Sequence, residues 1–431
     1  MTLNVGVVNG QDSQIRTKET DVSSIDAKKL QKYYPRSFGA SYDQYFSTRE
    51  EKKNKFGMPK FNLSTLATGL SACVSIGFLI YFFNMFRKPS EITKLVKNIE
   101  KNPNIPDAVK KKVLDAMQKI TTEPFEAGTY KQFINDVAKL DFKPVEQKVV
   151  DIKAARNVLD KKIVGMDEVK KQVLNFLEER NYDITHKVNT ADRGPLILCL
   201  DGKPGCGKTA VAEVIAEAMG KPFGRISLGG VSDAHAITGL EKGYKDSHPG
   251  SIIQRFIDTG RKDAVILLDE MDKMGLSREH GDPSAALLDL LEPKQCKKFT
   301  DKYLDFPYDV SDATFIITSN EKSKIPKPLL NRLRVIDVPS HDVKSKKELA
   351  SRVMKKAFAD ANFPESIKFD DSALRAIAEK TSDYGARQTN QNCTDVVRQI
   401  KIDIQNNKPV SKIDAKYVTE ALSKKNKSGA K

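Results

Sequence analysis

Three short apolar runs, Pro195 to Leu200, Ala264 to Leu268 and Ala313 to Thr318, stand between polar stretches and show no alternation along their length. Unbroken runs of this kind predict parallel strands covered on both faces. The first leads into Gly202-Lys203-Pro204-Gly205-Cys206-Gly207-Lys208-Thr209 and then a helix-like run from Ala210 to Met219. The second ends in Asp269-Glu270 and the third in Ser319-Asn320. Strand, glycine loop and helix in this order predict an α/β fold with a parallel sheet. Upstream, Ile92 to Ile99, Ala108 to Ile120 and Tyr130 to Leu140 have apolar spacing suited to short helices, a helical stalk over 89–150.

One run departs from this pattern. Phe61 to Phe86 holds no charged residue, with Lys60 before it and Arg87 and Lys88 after it. As a helix at about 1.5 Å per residue it extends roughly 39 Å, more than the ~30 Å hydrocarbon core of a bilayer. The expectation is a transmembrane helix over 61–86 and a single-pass membrane protein; which membrane is left open. A buried soluble helix is the other reading, because Ser, Thr and Gly dilute Leu63 to Gly77. Small residues every fourth position, such as Gly69, Cys73 and Gly77, permit close helix contact in lipid. Residues 1–60 are polar with little periodicity and are expected to be disordered.

Composition narrows the class. At 431 residues and 39% hydrophobic content the chain can build two or three domains with real cores. Its formal charge of +15 raises nucleic acid or an anionic surface as a partner. The lysines are dispersed among acids, however, and no zinc-finger or RNP pattern is present, so the charge reads mainly as solvated surface. Cys73, Cys199, Cys206, Cys296 and Cys393 are odd in number and form no C-x-x-C pair, which argues against a disulfide framework and a zinc site. A reducing, ATP-containing compartment is implied for the α/β part.

The glycine loop carries the candidate chemistry. Glycines at 202, 205 and 207 let backbone amides turn inward around phosphates, Lys208 neutralises the β- and γ-oxygens, and the Thr209 hydroxyl can ligate Mg²⁺. Lys203, Pro204 and Cys206 complete the loop; Cys206 reads as a small residue that fits, although a modified thiol there would block nucleotide. Asp269, at a strand's carboxyl end, is placed to hold Mg²⁺ through water, and Glu270 to orient the water attacking the γ-phosphate. Asn320 can reach that phosphate or water from the neighbouring strand, or simply initiate a turn.

These residues resemble the ATPase module of the Lon-type AAA+ proteases, and the likeness runs over about residues 150 to 420. Val158-Leu159-Asp160, Ile163-Val164-Gly165 and Val169 to Leu177 are similar to the family's approach to its first strand. So are Gly229-Gly230-Val231 with Asp233, Ile237 and Gly239, then Gly281-Asp282-Pro283-Ser284, Leu291-Glu292-Pro293 and Tyr303-Leu304. The resemblance implies an AAA+ P-loop ATPase with a large α/β domain over 151–339, a small helical lid over 340–424 and a basic tail over 425–431. It implies that Arg332 is an arginine finger reaching a neighbouring subunit's nucleotide, and that Arg387 is the lid's sensor arginine. It places Tyr244 at the aromatic position of a substrate-gripping pore loop. There the chain departs from the family, since Lys245, Asp246 and His248 replace apolar or glycine positions. The family's peptidase domain would follow the lid, and the chain ends at Lys431, so no peptidase activity is expected. The expected function is a membrane-anchored ATPase working as a homo-oligomeric ring, a hexamer, that unfolds or remodels proteins. Two alternatives stand beside it: an ATPase acting on nucleic acid, and a nucleotide-binding membrane scaffold with little turnover.

Overall fold

The apolar runs become adjacent strands of one sheet. The computed structural model describes residues 90–428 apart from 187, 189–193, 245, 276–280, 365, 383–384 and 409. In chain order, helices α1 (Glu91–Lys101), α2 (Asp107–Thr122), α3 (Ala127–Lys139), α4 (Ile152–Lys162) and α5 (Asp167–Thr185) lead to β1 (Leu196–Asp201) and α6 (Lys208–Ala218). Then come β2 (Phe223–Ser227), α7 (His235–Thr238), α8 (Ser251–Thr259), β3 (Val265–Asp269), α9 (Pro283–Leu291), β4 (Phe299–Asp301) and β5 (Phe306–Tyr308). β6 (Thr314–Ser319), α10 (Lys327–Leu330) and β7 (Arg334–Asp337) close this part. The remainder is α11 (Val343–Asp360), β8 (Lys368–Phe369), α12 (Asp371–Glu379), α13 (Ala386–Gln405), β9 (Lys412–Ile413) and α14 (Ala415–Ser428).

The five-stranded sheet has the order β2-β3-β6-β1-β7 with every pairing parallel, so β1 and β6 are central. Alternate residues of each apolar run serve opposite faces. Leu198, Leu200, Val265, Leu267 and Ile316 pack with Leu159, Val173, Leu177 and Ile215 from α4, α5 and α6. Cys199, Ile266, Leu268, Phe315 and Ile317 pack on the other side with Ile253 and Phe256 of α8 and Leu287 and Leu290 of α9. Both faces are covered, which is why the runs carry no polar alternation.

Helices α1 to α3 join that second core. Phe133 of α3 meets Tyr303 at 5.9 Å and Phe306 at 6.5 Å between ring centroids, and Phe142 meets Tyr308 at 5.6 Å. The antiparallel β4–β5 hairpin thus supplies an aromatic patch on which the amino-terminal helices dock. A third core, built on Met354, Ile377, Val396, Ile400 and Val418, holds α11 to α14 together. Asp342 caps α11 by accepting from Ser345 N at 2.8 Å, and Asp370 caps α12 by accepting from Ala373 N at 3.0 Å.

One expectation is corrected. The run 61–86 lies outside the described residues, and among the described residues no helix is long and apolar enough to cross a membrane. The longest, α13 with 20 residues and α5 with 19, are amphipathic and charged, α5 carrying Glu178, Glu179 and Arg180 on successive positions. Charged side chains at that density are incompatible with hydrocarbon. Among the described residues the fold is the α/β architecture with no transmembrane helix, so the expected fold class with a membrane helix and the single-pass assignment are not carried by any described element.

Candidate functional site

At the carboxyl end of β1 the backbone is stitched to both neighbours. Gly202 N donates to Ser319 O at 3.1 Å, and Val338 N donates to Asp201 O at 2.6 Å. A Cβ on Gly202 would lie 2.3 Å from Val338 O, so only glycine passes here. Gly205 and Gly207 have φ of 81° and 106°, the left-handed turns that fold the loop back onto the start of α6. The first amides of α6 have no partner within the helix and face the loop's interior, the arrangement that binds phosphate. Cys206 is buried within the loop, and burial raises its thiol pKa, so it is a packing residue.

Lys208 is 8% exposed and folds back over the loop. Its Nζ donates to Gly202 O at 2.6 Å, Lys203 O at 3.1 Å and Asn320 Oδ1 at 3.0 Å. Asn320 Nδ2 reaches Asp272 Oδ2 at 3.4 Å. The strand ends β3 and β6 meet through Thr318, whose hydroxyl donates to Asp269 Oδ1 and accepts from Glu270 N at 2.9 Å. Asp269 Oδ2 pairs with Arg225 at 2.6 Å. Glu270 then turns sharply, with φ 61° and ψ 46°, a strained conformation for a residue bearing a Cβ. Its carboxylate pairs with Lys273 at 2.7 Å and lies against Gly229, where a Cβ would be 2.6 Å from Glu270 Oε2.

The residues fit the phosphates of a nucleotide. Lys208 is held only by neutral oxygens, and the buried Asp272 Oδ1 accepts no hydrogen bond. Both lie beside a glycine loop shaped to present amides. Of the residues singled out in the sequence, Lys208, Asp269, Glu270 and Asn320 converge at the carboxyl ends of β1, β3 and β6. The start of α13 reaches the same loop through its backbone: Ala386 N and Arg387 N donate to Gly205 O at 2.9 and 3.3 Å. His341 Nε2 donates to Cys206 O at 3.1 Å, and burial lowers its pKa. Gly385, with φ 140°, lies so close to His341 that a Cβ would approach its ring within 2.7 Å.

Arg332 and Tyr244 are held apart from this group. Arg332 pairs with Glu292 at 2.5 Å and donates to Pro328 O at 2.9 Å. Tyr244 is 63% exposed in the 240–250 turn. The base of that turn is anchored, since Lys242 Nζ donates to Tyr303 O at 2.5 Å and lies 4.1 Å from the Phe133 ring centroid. Gly250 N donates to Asp301 Oδ2 at 2.7 Å, and burial raises the Asp301 carboxyl to about 6. Sequence reasoning gave Thr318, Asp272, Gly229 and His341 no role in the site. For Thr318 the available signal was its place one residue before Ser319-Asn320, at the end of an apolar strand.

A parallel sheet with a phosphate loop after one inner strand and paired carboxylates after another, one strand away, defines a nucleotide-hydrolysing class. Residues 198–340 match the ATPase family associated with various cellular activities (AAA), and the chain carries a domain of that family. Within it the relatives are Lon proteases. The chain is 35% identical over 314 residues to the Lon protease of Halothermothrix orenii, covering 72% of this chain and 39% of the relative. It is 36% identical over 320 residues to Lon protease 1 of Thermus thermophilus, covering 73% and 40%. The Lon protease of Fervidobacterium nodosum is 36% identical over 342 residues, covering 77% and 41%. This part of the chain is a Lon-type AAA+ module, and the chain spans about two fifths of the length of the curated relatives it matches. Among solved structures, the RuvB Holliday junction branch migration motor of Thermotoga maritima aligns at 19% identity and a TM-score of 0.41, over 63% of this chain and 72% of its own.

Proposed function

We propose that this chain hydrolyses ATP as one subunit of a ring, a hexamer, and uses the cycle to unfold or remodel polypeptide. The observation that carries the reading is the convergence of two hydrogen-bonded groups at the sheet's carboxyl edge, Lys208 with Asn320 and Asp269 with Glu270 through Thr318. The loop amides from Gly202 to Thr209 cradle the phosphates, and Lys208 exchanges its carbonyl partners for the β- and γ-oxygens. Thr209 and Asp269 are the groups that hold Mg²⁺, which when bound neutralises phosphate charge. Glu270 orients and polarises the attacking water from a backbone turn that aims its carboxylate beside Gly229. Asn320 fixes that water or the γ-phosphate. Arg387 reports the bound state to the lid.

Arg332 completes the neighbouring subunit's site by stabilising charge in the transition state, and Glu292 holds it in reserve. Tyr244 contacts the polypeptide. The proposal rests on the ATPase stretch and attributes no peptide-bond cleavage to it. The test is the rate per subunit across a protein concentration series, with Glu270→Gln as the blank. A shared site gives a rate that rises with concentration and is lost in Arg332→Ala while nucleotide binding persists. Hydrolysis untouched by Arg332→Ala would overturn the shared site. An unfolded polypeptide should stimulate the rate, and Tyr244→Ala should lose the stimulation.

A further inference from the structure

At the opposite edge of the sheet, where the parallel strands begin, charge gathers that the reaction above does not use. Lys221 precedes β2, Asp263 precedes β3 and Asp312 precedes β6. A cavity of about 320 Å³ opens there between the 141–150 segment, α5, the turn after α6 and the residues before β3. Its volume is at the small end of the roughly 300–1,000 Å³ typical of ligand pockets.

Two of its lining residues, Arg180 and Lys221, are cations whose charges are poorly matched. Arg180 is 8% exposed and donates to Lys148 O at 3.1 Å and Gln147 Oε1 at 2.8 Å, both neutral acceptors. Lys221 Nζ is buried without a hydrogen-bond partner and faces Asp263 Oδ2 at 3.8 Å. That carboxylate is already taken by Arg261, whose Nε and NH2 each reach it at 2.9 Å. Asp312 is also engaged, accepting from Gln147 at 2.9 Å and pairing with Lys262 at 3.5 Å. Burial and the adjacent Arg180 push Lys221 down to about 8, so the ammonium remains charged at neutral pH. A buried cation without a matched anion is costly, and a structure that keeps one beside a cavity is preorganised for an anion.

We propose that this cavity binds a compact oxyanion of the phosphate or sulfate type, with Lys221 as its point charge and the Arg180 and Arg261 guanidiniums as its planar donors. Tetrahedral oxyanions suit this set, because guanidinium groups donate in pairs and an ammonium supplies charge without directional demand. The bound anion would also fasten the 141–150 segment, which joins α3 to α4, against the base of the sheet. The site does not depend on the nucleotide reading, since it lies at the other strand ends.

Unfolding of the full chain, followed at constant ionic strength with sulfate or orthophosphate replacing chloride, tests it. The expected result is a saturable rise in Tm in the wild type and in Lys208→Ala, reduced at least tenfold in apparent affinity by Lys221→Met. In chloride alone Lys221→Met should melt higher than the wild type, because it removes the unmatched charge. Sulfate also stabilises by exclusion from the surface, but that effect does not saturate and is common to both chains. Equal rises in wild type and Lys221→Met, no saturable rise, or a Lys221→Met that melts lower in chloride would each overturn the site. Phosphate can also enter the glycine loop, so a saturable rise kept in Lys221→Met and lost in Lys208→Ala would overturn the site. Glycerol phosphate as a third anion distinguishes the source. Binding equal to orthophosphate points to a phosphate group on a larger molecule, and exclusion points to the free ion.

Discussion

The two edges of the central sheet treat buried charge in opposite ways. At the carboxyl edge Lys208 has three acceptors, and Asp269 is matched by Thr318 and Arg225. At the amino edge Lys221 has no hydrogen-bond partner, and its facing carboxylate, Asp263 at 3.8 Å, is shared with Arg261. At the first edge Lys208 and Asp269 are already engaged, although Asp272 Oδ1 accepts no hydrogen bond, so a phosphate there must displace contacts the protein makes with itself. The second has unmet charge, so a ligand would add contacts without breaking any. The contrast teaches that a reacting site can be assembled and stable before its substrate arrives, whereas an anion site shows itself by what it lacks.

The largest effects should come from removing the self-satisfied charges. Glu270→Gln should bind ATP and lower kcat roughly 10²–10⁴-fold, the range for losing a general base, read in a steady-state phosphate-release assay. Lys208→Ala should lose nucleotide affinity as well, because the same Nζ that ties Gly202 O and Lys203 O is the charge offered to the phosphates. Nucleotide binding unchanged in Lys208→Ala would break the account of the carboxyl edge.

Two glycine substitutions sharpen it. Gly202→Ala sets a Cβ 2.3 Å from the Val338 carbonyl, a backbone atom that cannot step aside, and should cost about 1–3 kcal/mol with loss of nucleotide binding. Gly229→Ala sets a Cβ 2.6 Å from Glu270 Oε2, the mobile end of a side chain, and no positive φ constrains Gly229. Its stability should change by less than about 1 kcal/mol, while turnover falls roughly tenfold as the carboxylate is displaced. Denaturant midpoints beside phosphate release separate the two outcomes.

Much of the carboxyl edge was legible in sequence because its parts are local. The unbroken runs ending at Leu200, Leu268 and Thr318 gave strands buried on both faces, and Gly202 to Thr209, Asp269 and Glu270 announced themselves by type and spacing. What joins them was not legible. Thr318 reads as an ordinary strand residue, and its relay between Asp269 and Glu270 exists only through the pairing of β3 with β6. His341 and Gly385 meet only through the tertiary packing of the segment before α11 and the start of α13 on the loop. The docking of α1 to α3 on the Tyr303 and Phe306 rings is a long-range event that periodicity does not encode. The charge-free run 61–86 lies outside the described residues, and no described helix meets the same length and polarity criterion. Lys221 sits in Gly220-Lys221-Pro222, which reads as a solvated turn until the 141–150 segment covers it.

The smallest effect concerns the amino edge and depends on pH. An unfolded lysine titrates near 10.4, whereas Lys221 in the fold is pushed down to about 8. Below pH 8 the residue is charged in both states and its burial penalty is complete. Between pH 8 and about 10.4 the unfolded state binds the additional proton, so stability rises with pH over that window. Lys221→Met has neither the penalty nor the rise. Its Tm advantage over the wild type should therefore be greatest below pH 8, a few degrees at most for a body of this size, and should close as pH approaches 10.4. Lys242, which burial also pushes down to about 8, titrates in the same window but is common to both chains, so it cancels in the difference. Saturating sulfate should close the gap already at pH 7 by supplying the missing partner. A gap that is constant across pH would mean that methionine packs better for reasons of shape alone, and the unmet charge at this edge would no longer distinguish it from the other.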